Sequence, residues 1–104
     1  MSEMSVQMDT SAAAGEQCVR QVLVTNQLGL HARPASQIAR EAQAFAAQIV
    51  IAGQGQSVDA KSILDILTLS AAMGSTLEIR ASGTDAAQAV DRLMELFAAK
   101  FGEK

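Results

Sequence analysis

The chain has no tryptophan and no tyrosine, and only three phenylalanines among its 104 residues. Aliphatic side chains and alanine must therefore fill its interior. Basic residues are in the minority: 8 Lys and Arg stand against 11 Asp and Glu, for a net charge of −3. A nucleic-acid partner, which rewards basic patches interleaved with aromatics, is not expected. The single cysteine, Cys18, excludes an internal disulfide, and one cysteine with one histidine cannot complete a zinc site. Cys18 reads as a plain reduced residue near the first strand. No apolar run approaches the ~20 residues that a membrane helix needs, and no basic segment followed by an apolar stretch opens the chain. A cytoplasmic protein is expected, with no metal, no cofactor and no membrane insertion.

What is present suits one soluble globular domain: 49% of the residues are hydrophobic and 18% charged. Residues 1–17 (MSEMSVQMDTSAAAGEQ) are small and polar without a sustained period, and read as a flexible tail preceding a folded domain over 18–104. Alternation and β-branched residues predict a first strand from Val19 to Thr25. Ala35, Ile38, Ala42 and Phe45 recur every three or four residues and predict a helix from about Ala32 to Ala46, with Pro34 tolerated because it lies in the first turn. Gln48–Ala52 and Gln56–Asp59 read as strands joined by a tight turn at Gly53, Gln54 and Gly55. Ser62 is expected to cap a short helix running to Ala71. Thr76–Ser82 alternates strictly and predicts a fourth strand. Asp85 with Gln88 is expected to form a capping box for a last helix, whose buried stripe is Val90, Leu93, Met94, Phe97 and Phe101. The order βαββαβα indicates an α+β domain with helices over one face of a mostly antiparallel sheet.

The only histidine lies in Gly29-Leu30-His31-Ala32-Arg33-Pro34-Ala35, where a loop meets a helix. The free N–H groups and positive dipole end of a helix start form an anion site. Arg33 adds a guanidinium able to bond two phosphate oxygens at once. Positive neighbours favour an uncharged imidazole, which is a nucleophile toward phosphorus. Phosphoryl transfer depends chiefly on positioning and charge stabilisation, so little more is required. A surface histidine or a simple cap is the alternative reading of such a residue.

The stretch GLHARPA resembles the active-site motif of the HPr family, the phosphocarriers of the bacterial phosphotransferase system. Lys61-Ser62-Ile63-Leu64 resembles that family's regulatory serine segment at the matching distance downstream. The resemblance spans about residues 19 to 101 and implies an open-faced β-sandwich, a four-stranded antiparallel sheet covered on one face by three helices. It further implies that His31 accepts a phosphoryl group from Enzyme I through Nδ1, that Arg33 assists transfer, and that a IIA component is the recipient. A monomer is implied too. The chain would then be a phosphoryl-transfer intermediate and not a stand-alone enzyme: a single His beside an Arg offers little of the orienting acid, oxyanion site and pocket such an enzyme needs.

Ser62, besides capping, would be a phosphorylation site for an HPr kinase/phosphorylase. Ile63, Leu64, Leu67 and Arg40 lie where the family docks its partners, while Ile66 and Leu69 read as core. Gln43 and Asp65 stand where sugar-branch members often carry lysine. TNQLGLHARPA and LMELFAAKF resemble the nitrogen-related branch, whereas KSIL resembles serine-regulated members. The alternative function is a regulatory binding protein of the same fold, acting through Ser62 and partner docking; such relatives lack the histidine that this chain has.

Overall fold

Alternating apolar and polar side chains build four strands: β1 (Gln17–Leu23), β2 (Gln48–Gly53), β3 (Gln56–Asp59) and β4 (Thr76–Ser82). Three helices interleave with them, α1 (Ala32–Gln43), α2 (Ile63–Thr68) and α3 (Ala86–Ala98), and a 3₁₀ turn follows at Lys100–Gly102. This computed structural model describes residues 17–103; the expected N-terminal tail lies, as far as residue 16, outside the described residues. The sheet order is β1-β4-β2-β3, with every neighbouring pair antiparallel. The predicted α+β class and element order are therefore the ones observed.

Register decides which side chains enter the core. Ile51 sits opposite both Ile79 and Val58, and Val22 opposite Leu77. These residues, with Ile49 and Ala81, are buried, while Gln48, Thr76 and Arg80 on the alternate positions are exposed. The helices close the buried face. Ile38 from α1, Ile66 from α2, and Val90 and Leu93 from α3 are completely excluded from water, each contributing roughly 1.5–3 kcal/mol of transfer free energy. Alanines fill the narrowest contacts: Ala35, Ala39 and Ala42 on α1, Ala86 and Ala89 on α3. A core with so few aromatics is closed by bringing helices near, and only small side chains permit that.

Two strands, Gln56–Asp59 and Thr76–Ser82, keep their predicted bounds, and the β2–β3 turn is a two-residue loop with Gln54 at φ 52° and Gly55 at φ 78°. Left-handed backbone at both positions matches the right-handed twist of the hairpin.

Other boundaries differ for identifiable reasons. Strand β1 begins at Gln17 and ends at Leu23, although Val24 still pairs by hydrogen bonds with Ser75 and Gly74. Helix α1 stops at Gln43, short of Ala46, because the Asp85 carboxylate accepts the N–H groups of Ala46 and Ala47 at 2.9 and 2.8 Å and draws them out of the helix. The same contacts overturn the expected Asp85–Gln88 capping box: Asp85 precedes α3 but makes no side-chain bond to its first turn. Helix α2 ends at Thr68, because Ser70 is left-handed (φ 50°) and the Ala71 carbonyl accepts from Leu30 N–H instead. Phe101 is buried, yet it lies beyond α3, in left-handed backbone, with its ring edge-on to Phe97. Phe45 and Met94 are only partly buried against the core.

Candidate functional site

The loop from β1 to α1 is pinned before it reaches His31. Gly29 has φ 68°, and a Cβ there would lie 2.5 Å from the Ala71 carbonyl oxygen. Only glycine combines that conformation with that approach. Leu30 is buried and donates its N–H to the same oxygen at 2.9 Å. His31 follows as the N-cap of α1, with extended backbone (φ −85°, ψ −168°).

His31 does not cap its helix with its side chain. Pro34 has no N–H, and that of Ala35 is given to the His31 carbonyl. Among the described residues, the N–H groups of Ala32 and Arg33 are left to face an incoming anion. The ring is 38% exposed. Its Nε2 lies 2.8 Å from Oε2 of Glu103, and among the described residues Nδ1 has no partner.

Glu103 was not among the residues picked out from the sequence. Its side chain is only 15% exposed. Its other oxygen accepts from Nδ2 of Asn26 at 3.2 Å, and Asn26, buried to 1% exposure, also donates to the Gly29 carbonyl at 2.7 Å. The hydrogen bond with His31 is the main cause holding the Glu103 carboxyl below the usual carboxylate range; partial burial opposes it, and the Asn26 bond and the Arg33 charge add to it. Besides the expected positive neighbours, a carboxylate stands on the inner side of the ring. Nothing local in the sequence joins two residues 72 positions apart. Asn26 stands between Thr25 and Gln27 in a polar stretch and carries no separate signal.

Arg33 is exposed beside this pair. Arg40 is exposed as well, but it lies about 13 Å further along α1 from His31. Ser62 caps α2, its Oγ accepting the N–H of Asp65 at 3.2 Å. Ile63 and Leu64 are 41% and 75% exposed, while Leu67 packs partly against the core. Leu28 and Met73, not anticipated, are exposed on the two loops that meet at Gly29. Two concavities lie at β2–β3 and across β1, β4 and β2, and neither is lined by His31. The His31 ring is partly exposed, and Leu28 on the same loop is exposed as well.

A family model for the PTS HPr component phosphorylation site matches residues 18–99. The chain belongs to the HPr family. HPr proteins are phosphocarriers of the phosphotransferase system, and the chain shares that membership along nearly its whole described length. It is 39% identical to phosphocarrier protein HPr of Cupriavidus necator over 84 residues, 81% of this chain and 94% of that one. It is 42% identical to phosphocarrier protein NPr of Shewanella violacea, again over 84 residues, 81% of this chain and 92% of that one. The crystal structure of HPr-C-His from Thermoanaerobacter tengcongensis superposes with a TM-score of 0.80 at 34% identity, covering 84% of this chain and 98% of that one. The HPr fold and the observed sheet agree. Among the described residues, no helix is long and apolar enough to cross a membrane.

Proposed function

We propose that this HPr-family chain accepts a phosphoryl group from Enzyme I on Nδ1 of His31 and passes it to a IIA component. The observation that carries the reading is the state of His31: a half-exposed imidazole at a helix start that it does not cap, tied through Nε2 and open at Nδ1. The lone pair on Nδ1 attacks phosphorus while the bond to the donor breaks and its electron pair leaves with the donor. The transferred group then meets the N–H groups of Ala32 and Arg33, the positive helix end and the Arg33 guanidinium. Ile63 and Leu64, with Leu67 and Arg40 at the margin, form the docking surface. The carrier works as a monomer in the cytoplasm. Phosphorylation of Ser62 by an HPr kinase/phosphorylase would add up to two negative charges at the start of α2, beside Asp65, and repel an acidic partner.

A regulatory binding role through Ser62 is the second reading, supported by the exposed Ile63 and Leu64 that follow the capped serine. One experiment separates the two. Incubation with Enzyme I and phosphoenolpyruvate, followed by intact mass and site mapping, should yield one acid-labile phosphate on His31. A folded chain with no phosphate on His31, beside an Enzyme I proven active, would favour the regulatory reading.

A further inference from the structure

We infer that Glu103 is a positioning residue for His31, fixing the imidazole with its proton on Nε2 so that Nδ1 is the nitrogen presented to phosphorus; the inference rests on the phosphocarrier reading above. Three observations converge on it. First, the carboxylate is delivered by unusual backbone. Lys100, Phe101 and Gly102 are consecutively left-handed, at φ 53°, 55° and 81°, a conformation that side chains disfavour and that persists only where surroundings over-determine it. Here they do: Phe101 is buried edge-on to Phe97, its carbonyl accepts from Gln37 of α1 at 3.2 Å, and Glu103 N–H closes the turn onto the Lys100 carbonyl at 2.9 Å.

Second, the carboxylate is braced from behind. Asn26 Nδ2 gives one hydrogen to Glu103 and one to Gly29, while its buried Oδ1 has no partner. Reversing the amide would set that oxygen against two acceptors. The asparagine therefore leaves an acceptor unsatisfied, at a cost, in order to hold Glu103. Third, an ionised carboxylate can only accept, so the 2.8 Å contact requires a hydrogen on Nε2. The lone pair then belongs to Nδ1. Transfer forms the Nδ1–P bond without releasing a proton: the Nε2 hydrogen stays, positive charge develops on the ring, and Glu103 faces it.

The chain's single histidine makes the test unambiguous. Long-range ¹H–¹⁵N NMR of the unmodified full chain should show protonated Nε2, bare Nδ1 and an observable Nε2–H resonance. In Glu103→Ala, the ring nitrogens should average between tautomers and that resonance should disappear. In Glu103→Gln, the amide oxygen restores the tautomer without the charge. Single-turnover phosphorylation at saturating Enzyme I should fall about ten- to a hundredfold in Glu103→Ala, the range for losing one charge-assisted hydrogen bond. Glu103→Gln should fall between the two, and the concentration of Enzyme I at half-saturation should be unchanged throughout. Identical ring spectra in wild type and Glu103→Ala, or equal saturated rates, overturn the inference while leaving His31 as acceptor. A wild-type chain that takes no phosphate on His31 overturns the phosphocarrier reading and, with it, the purpose assigned to Glu103.

Discussion

Helices α1 and α2 start on the two residues proposed above to take phosphate, His31 and Ser62, and the two starts are built in opposite ways. Ser62 turns its hydroxyl back onto the Asp65 N–H and satisfies its own helix. His31 turns its ring away, toward Glu103, and leaves the first turn of α1 open. A third start, at Asp85, also turns away, but toward the backbone of Ala46 and Ala47, so its side chain joins α3 to the entry of β2. The residue at a helix start thus bonds its own helix, the backbone of a neighbouring element or a distant side chain, and hydrogen-bond partners distinguish the three.

Substitutions can break that comparison. The largest effect is expected at His31: His31→Ala should abolish phosphoryl acceptance from Enzyme I, read by intact mass. It should leave the fold intact at a cost of roughly 1–2 kcal/mol, because no cap bond is lost but the hydrogen bond to Glu103 is. Acceptance at another residue would contradict the assignment. Arg33→Ala should slow single-turnover phosphorylation roughly tenfold, in line with one lost charge-assisted contact, with little change in thermal unfolding; an unchanged rate removes Arg33 from the site.

The Asp85 contrast is sharpened by acid. Hydrogen bonds from the Ala46 and then the Ala47 backbone hold its carboxyl below the usual range, against partial desolvation. Its folded value lies under its unfolded value, so its contribution is complete above the ordinary carboxylate range and is lost as pH falls through the lowered value. Asp85→Asn should therefore unfold more readily than wild type near neutral pH, and the two denaturation midpoints should converge in acid. A gap that stays constant with pH would detach the effect from ionisation. The smallest effect is at Ser62. Ser62→Ala should cost about 1 kcal/mol in denaturant unfolding. Ser62→Asp, which retains a capping acceptor, should keep that stability yet slow the encounter with Enzyme I.

What could be read from the sequence follows the range of the forces involved. Thr76–Ser82 rests on alternation and the β2–β3 turn on a glycine, Gly55, suited to left-handed backbone; both signals are local, and both elements are found where expected. His31, Arg33 and Pro34 lie within four residues, so their shared helix start was legible too. The end of α1 was not, because a carboxylate from residue 85 decides it. Phe101 fits the periodic stripe of α3 and is buried as that stripe requires, but the backbone turns left-handed just before it. The inner side of the histidine site is assembled by tertiary structure: Asn26 lies in the TNQLGLHARPA stretch, but nothing in that stretch points to Glu103.

The sheet order has a consequence for how the molecule is made. Strand β1 is synthesised early but, among the described residues, pairs in the sheet with β4 alone, so Leu23 must wait for Thr76 before it pairs. The loop carrying His31 is pinned by the segment that leads into β4, and its ring is met by a residue that follows α3. Closing such distant contacts carries a loop-entropy cost and slows folding. On the ribosome, the histidine is exposed long before its surroundings exist. The proposed phosphate site is therefore completed late in folding, and a chain halted before α3 would display the GLHARPA segment without the surroundings of its histidine.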